Sequence, residues 1–294
     1  MSDYVTDTAE GDGWKLMLGD SCERLAEIPD DSIDLSVYSP PFASLYTYSP
    51  SERDLGNCAD QAEFLDHYRF VLDHMVRVTK PGRISAVHVQ QIAYQKAKDG
   101  YMGLADFRGD VIRAHEEAGF YLFGEVTVDK DPQLQAVRTK SHQLLFVSLR
   151  RDGCNVRPAM ADYVLIFKKH GENEVPVKTD DIDNETWIKW AKPIWYDIRE
   201  MSTLNPGSGA EDADERHICP LQLPLIERCV RLWSNKGETV LSPFAGIGSE
   251  GFEAVRLGRQ FIGCELKPSY WSTACSNLEK AVALRDANTL FAAL

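Results

Sequence analysis

Two short stretches of this 294-residue chain hold residue types at spacings that chemistry can use. The first, Val37 to Phe42, reads VYSPPF and closes an apolar run. Two prolines fix φ and remove backbone N–H donors, so the corner of Ser39, Pro40, Pro41 and Phe42 is rigid, rich in acceptors and ends on a ring. Alone, it reads equally well as a strand-terminating turn. The second, residues 240–251, reads VLSPFAGIGSEG. Gly246, Gly248 and Gly251 satisfy G-x-G-x-x-G, and Glu265 lies nineteen residues after Gly246. Such glycines permit a tight turn and close approach to a ligand, and the acid takes ribose hydroxyls. By itself that fingerprint suggests an NAD-dependent oxidoreductase.

Strands and helices must position both stretches, and the chain alternates them. WKLMLGD (14–20) reads as a short strand ending on Gly-Asp, and SCERLAEIPD as helical until Pro29. IDLSVY (33–38) is nearly all apolar, the pattern of a strand buried on both faces. QAEFLDHYRFVLDHMVRVT (61–79) places Phe64, Leu65, Tyr68, Val71, Leu72, Met75 and Val78 on one helical stripe. RISAVHV (83–89), FYLFGEVTV and YVLIFKK (163–169) read as strands, and DVIRAHEEAG as a helix. Regularity fails over 170–215, where WIKWAKPIWYDI reads as the local core of an insertion. Then follow a helix (LPLIERCVRLWSN), a strand (ETVLS), a helix (GSEGFEAVRLG), a strand (RQFIGCEL) and a last helix from about Tyr270 to Ala283. MSDYVTDTAEGDG reads as a frayed polar arm, not a signal or transit peptide.

This alternation predicts an α/β fold with a doubly wound, mostly parallel sheet. One compact domain is expected, with residues 1–90 carrying the SPPF half and 216–294 the FAGIG half. Residues 91–215 supply the remaining strands and an insertion, most irregular over 170–215.

Composition sets limits. No apolar run approaches the roughly 20 residues of a membrane span. Seven cysteines lie scattered without a CxxC pair, which suggests reduced thiols in the cytoplasm and no metal site. The net charge of −13 argues against nucleic acid until its distribution is seen. Residues 138–170 hold seven Lys/Arg against two acids, so this segment can face phosphates.

Two features turn the glycine motif away from nicotinamide. Phe244 stands where the ligand would sit, and only one more strand follows the motif, too few for a second mononucleotide half. The half-sheet can be completed only by the N-terminal segment that carries SPPF. The two stretches should then be neighbours at the carboxyl ends of adjacent strands. SPPF together with PFAGIGS and GCELKPSY resembles the amino-type DNA methyltransferases, which methylate exocyclic nitrogens of adenine or cytosine. The order, SPPF first and FAGIG last, resembles their circularly permuted β class. The match runs over roughly 1–90 and 216–294, and only loosely between.

The resemblance implies a Rossmann-like methyltransferase sheet with an inserted target-recognition region. It also implies S-adenosyl-L-methionine as cofactor, double-stranded DNA as partner and a place in restriction–modification. Many β-class relatives act as dimers, so a homodimer is expected by resemblance only. An exocyclic amine is a poor nucleophile because its lone pair is delocalised into the ring. Ser39 (side-chain oxygen) and Pro40 (carbonyl oxygen) would accept its N–H bonds and aim that lone pair, while Pro41 keeps the corner stiff. Phe42 would stack on the flipped base. The resemblance assigns Glu265 to the ribose hydroxyls, Phe244 to packing near the cofactor, and Gly246 and Gly248 to close backbone approach. Asp20, in LGD, would contact the cofactor adenine, or serve only as the N-cap of a helix starting at Ser21. His217 and Pro220, in RHICPLQLP, would line the methionine end, or form a helix-entry loop.

Two departures stand out. Ser242 occupies the place of the family's usual Asp, so an acid that would meet the methionine ammonium is missing. Ser39 occurs where many members have Asp or Asn, which leans the target towards N4 of cytosine over N6 of adenine. Arg138, Lys140, Arg150, Arg151 and Arg157 are the expected DNA contacts, each otherwise a solvated charge. A non-catalytic DNA-binding regulator with this fold stays open, as does RNA or a small amine as substrate.

Overall fold

A computed structural model describes residues 4–41, 53–94, 100–101, 103–139, 150, 159–178, 181–204 and 220–292. Among the described residues, one nine-stranded sheet forms the frame. In spatial order its strands are β1 (Asp7–Gly11), β2 (Trp14–Leu18), β11 (Gln260–Glu265), β10 (Thr239–Ser242), β3 (Ile33–Tyr38), β4 (Thr79–Gln90), β8 (Asp162–Lys169), β7 (Phe120–Val128) and β9 (Ile194–Trp195). β5 (Ile92–Tyr94) and β6 (Gly103–Ala105) form a separate ribbon. From β2 across to β4 every pairing is parallel, whereas β8 runs antiparallel to both β4 and β7.

The parallel strands are apolar on both sides because helices cover both. On one face, α1 (Ser21–Leu25), α2 (Gln61–Val78) and α3 (Phe107–Ala118) enclose a core that includes Leu25, Phe64, Tyr68, Met75, Phe107 and Val111. The α2 stripe is buried as its spacing predicts, except that Leu65 is only partly covered. On the other face, α6 (Leu223–Trp233), α7 (Ser249–Arg256) and α8 (Pro268–Ala292) enclose Leu225, Ile226, Val230, Val255, Ala274 and Leu278. Each fully buried aliphatic or aromatic side chain contributes roughly 1.5–3 kcal/mol. Neighbouring β10 residues serve opposite faces, Val240 one core and Leu241 the other.

Three expectations change. Residues 7–11 are not frayed: β1 pairs with β2 through the two-residue Asp12-Gly13 turn, and Tyr4 packs on to Asp20 and Glu23. The last helix extends to Ala292. The tryptophan-rich segment forms no separate core, since Trp195 and Ile198 join the core under the sheet while Trp187 and Tyr196 are exposed. It contributes α5 (Asn184–Trp190) and then β9, which extends the sheet beside β7. Between β7 and β8 lies α4 (Pro132–Thr139).

Chain ends meet at the sheet's centre. β3 pairs in parallel with β10, Leu35 opposite Val240 and Ser36 opposite Leu241. Polar contacts fasten the same joint from beneath: Asp34 Oδ2 accepts the Thr239 N–H at 3.0 Å, and buried Arg83 forms an ion pair with Glu238. From β10 the sheet continues to β11 on one side, and from β3 to β4 on the other. That reversal opens a crevice at the carboxyl ends of the two central strands, where open α/β sheets bind ligands.

Candidate active site

The crevice is a pocket of about 400 Å³, in the size range of small-molecule sites. Ser39, Pro40 and Pro41 line one side, and Phe244, Gly246 and Glu265 another. Asp20 and Pro220 also reach it. Eight of the residues singled out in the sequence are thus gathered on one cavity, though SPPF and FAGIG lie some two hundred positions apart.

Local structure explains how each is held. Strand β3 delivers Ser39, and a buried polar cluster clamps its last residue. Tyr38 Oη lies 3.0 Å from Tyr68 Oη and 3.1 Å from His115 Nε2. His115 Nδ1 donates to the Val111 carbonyl at 2.7 Å, which leaves Nε2 as an acceptor. Burial pushes that imidazole down to about 3, so it stays neutral. The Tyr38 and Phe244 rings, 6.0 Å apart, bridge the two central strands directly above this clamp.

On the glycine side, Ala245 N–H donates to Cys264 O at 2.8 Å and folds the corner back on to β11. Gly246 has φ +53°, and a Cβ placed there meets no atom of the described residues within 4 Å. The Gly246 and Lys267 N–H groups each donate to the Glu265 carboxylate at 2.8 Å. Burial nevertheless pushes this acid up to about 7, against the lowering effect of those donors. Asp20 caps a helix and lies on the pocket. Its Oδ1 accepts Cys22 N–H at 2.9 Å as the N-cap of α1, while the side chain also borders the pocket. Ser21 Oγ ties the same turn to the Pro243 carbonyl at 2.5 Å.

Some expected residues sit elsewhere. Gly248 does not line the pocket; its φ is +85°, and a Cβ would press on Ala274 at 3.1 Å, so this glycine serves the turn and helix packing. Ser242 is fully buried in β10 and does not line the cavity, and its hydroxyl has no partner among the described residues. Arg138 falls on α4 and Arg150 is exposed. Phe42, His217, Lys140, Arg151 and Arg157 lie outside the described residues.

Other lining residues were not singled out. Ser249 and Glu250 open α7 at the pocket, both buried, and Ser249 Oγ has no hydrogen-bond partner. Burial raises Glu250 to about 8, reinforced by nearby Glu265. Their signal lay within GIGSEG, since the residues after the last turn glycine must start the helix beside the ligand. Behind Ser39 stand His88 and Asp162, at the ends of strands β4 and β8 nearest the pocket. A histidine interrupting the apolar run RISAVHV marked the first of them.

A family model described as DNA methylase matches residues 33–276. The chain belongs to the N6/N4 DNA methylase family. The type II methyltransferase M.BglI of Bacillus subtilis is 32% identical over 168 residues, covering 57% of this chain. The chain spans only 41% of the length of M.BglI. Among solved structures, TTHA0409 of Thermus thermophilus, provisionally described as a DNA modification methylase, has a TM-score of 0.67 at 25% identity. It covers 90% of this chain and 94% of its own, and was solved with S-adenosyl-L-methionine. PvuII DNA methyltransferase, cytosine-N4-specific, shares the fold with a TM-score of 0.63 at 21% identity, covering 93% of this chain and 92% of its own. These comparisons give the nicotinamide reading no support.

The cofactor of the family is S-adenosyl-L-methionine, and the residues present fit it. An open glycine face at Gly246, an acid at the end of β11 and an unpartnered buried hydroxyl at Ser249 are the groups a nucleoside with a polar amino-acid tail would engage. Among the described residues no group of His, Cys, Asp and Glu is placed to hold a metal, and no helix is long and apolar enough to cross a membrane.

Proposed function

We propose that the chain transfers a methyl group to an exocyclic amino group of a base flipped out of duplex DNA, with N4 of cytosine favoured over N6 of adenine. The observation that carries this reading is the shared cavity: the uncharged Ser39-Pro40-Pro41 corner faces Gly246 and Glu265 across one pocket. S-adenosyl-L-methionine, when bound, supplies an electrophilic methyl on a sulfonium. Glu265 takes the ribose hydroxyls and the Gly246 backbone admits the nucleoside. Ser39 Oγ and the Pro40 carbonyl accept the amine's two N–H bonds, localise its lone pair and point it at the methyl. Catalysis is then positioning, with no covalent enzyme intermediate. Phe42 shelves the base, and the basic residues of 138–157 hold the phosphates. The setting that suits a type II relative is restriction–modification in the cytoplasm. A homodimer, expected from β-class relatives, is read by sedimentation.

The test is transfer of labelled methyl to duplex DNA. Ser39→Ala is expected to lose transfer and retain S-adenosylhomocysteine binding. Tight NADH binding without S-adenosylhomocysteine binding, or DNA binding without transfer at saturating cofactor, would overturn the reading.

A further inference from the structure

Ser39 does not stand alone. Its Oγ lies 3.1 Å from the His88 backbone carbonyl and 3.3 Å from His88 Nδ1. On the far side of the ring, Nε2 lies 3.0 Å from Asp162 Oδ2. Asp162 is itself held by Lys130 Nζ at 2.6 Å and by the Gln90 amide at 2.8 Å. His88 and Asp162 are buried, as is the Lys130 side chain, so this is a closed chain of groups leading from the pocket wall into the sheet. Among the described residues, the charged group bonded to the His88 ring is Asp162, and Lys130 is ion-paired to that carboxylate.

The arrangement has a direction. Asp162 accepts from Gln90 and Lys130 and is held below the usual carboxylate range: burial raises it, but His88 and Lys130 outweigh that. As an acceptor, it fixes the Nε2–H tautomer of His88 and leaves Nδ1 with its lone pair towards Ser39. The serine hydroxyl then has two acceptors behind it and turns its hydrogen inward. Its own lone pairs are left for the incoming amine.

We infer that His88, oriented by Asp162, positions the Ser39 hydroxyl as an acceptor and draws off the proton that the methylated amine must lose. This rests on the reading of the pocket as an amino-methylation site. Attack forms a bond from the exocyclic nitrogen to the methyl carbon; the carbon–sulfur bond breaks and its electron pair stays on sulfur. The nitrogen is left cationic with one proton in excess. That proton passes to Ser39 Oγ while the serine's own hydrogen moves to His88 Nδ1. The hydroxyl is regenerated, and an imidazolium forms against the Asp162 carboxylate. After product leaves, the imidazolium returns its proton to solvent by the same serine. His88 is a positioning residue here, because Ser39 makes the contact with substrate.

The test is single-turnover transfer of labelled methyl to genomic DNA from a strain without DNA methylation, measured across pH for wild type, His88→Asn and Asp162→Asn. Asparagine keeps a hydrogen-bonding atom near the Nδ1 position but cannot take a proton. The expected result for His88→Asn is a rate down by about 10²-fold. KM for DNA and the S-adenosylhomocysteine Kd should stay within about threefold, and the fall in rate at acid pH should disappear. A variant that keeps the wild-type rate and its acid limb overturns the inference. If His88→Asn no longer binds S-adenosylhomocysteine, Asp162→Asn decides on the same split, and wild-type behaviour there overturns it equally. No transfer by the wild-type protein removes the methylation reading itself, and this inference with it.

Discussion

Gly246 N–H donates to Glu265 Oε2 at 2.8 Å, so the corner after β10 and the acid ending β11 are joined in the pocket wall before any ligand arrives. Lys267 N–H holds the other oxygen, which leaves the carboxylate oriented but still raised by burial. Glu265→Gln would set an amide N–H2 against one of these N–H donors and lose the charge. Hydrogen bonds to charged groups contribute about 1.5–3 kcal/mol, so S-adenosylhomocysteine affinity should fall by roughly 10- to 100-fold. Calorimetric titration reads this, and unchanged affinity would remove Glu265 from the cofactor site.

Gly246 and Gly251 belong to one motif yet predict opposite outcomes. A Cβ at Gly251 would lie 2.5 Å from the Phe261 ring and 2.7 Å from Leu278, in the seam between α7 and its neighbours. Gly251→Ala should cost about 1–3 kcal/mol of stability through overpacking. At Gly246 the added methyl meets no atom of the described residues, so Gly246→Ala should lose only about 1 kcal/mol, from its φ of +53°. Its main effect should be on cofactor affinity. Urea melts and cofactor titrations of the two variants separate the roles.

Glu250 and Glu265 link stability to pH. Both carboxyls are raised by burial, to about 8 and about 7, from an ordinary value of 4.5. The folded state therefore holds these protons more tightly than the unfolded chain does. Their stabilisation is complete below the ordinary carboxylate range and is lost as pH rises through about 7 and then about 8. Denaturation midpoints of the ligand-free protein should fall between pH 6 and pH 9. Glu250, only 5% exposed, should account for on the order of 1–3 kcal/mol of this. Glu250→Gln should flatten the curve, and an equally steep curve in the variant would place the effect elsewhere.

Much of the site was legible because its residues are locally determined. SPPF and GIGSEG follow apolar strands, and only a permuted sheet completes both, so their meeting at β3 and β10 followed from strand counting. What stayed hidden depends on contacts across the sheet. Ser39 touches His88, forty-nine positions away, and His88 touches Asp162, seventy-four away. No spacing rule joins such residues, because the antiparallel entry of β8 beside β4 fixes which side chains face each other. The motif records that Gly248 is a glycine; that its missing Cβ would point towards Ala274 is a property of the packed helices. The β1–β2 hairpin was signalled by Asp12-Gly13, but an acidic, polar strand at a sheet edge resembles a solvated arm in composition.

Mass spectrometry of nucleosides from the DNA of cells expressing this chain tests the central claim most directly. N4-methylcytosine should appear with the wild-type chain and vanish with Ser39→Ala. N6-methyladenine in its place would contradict the choice of base, and DNA without any methylated amino group would contradict the account as a whole.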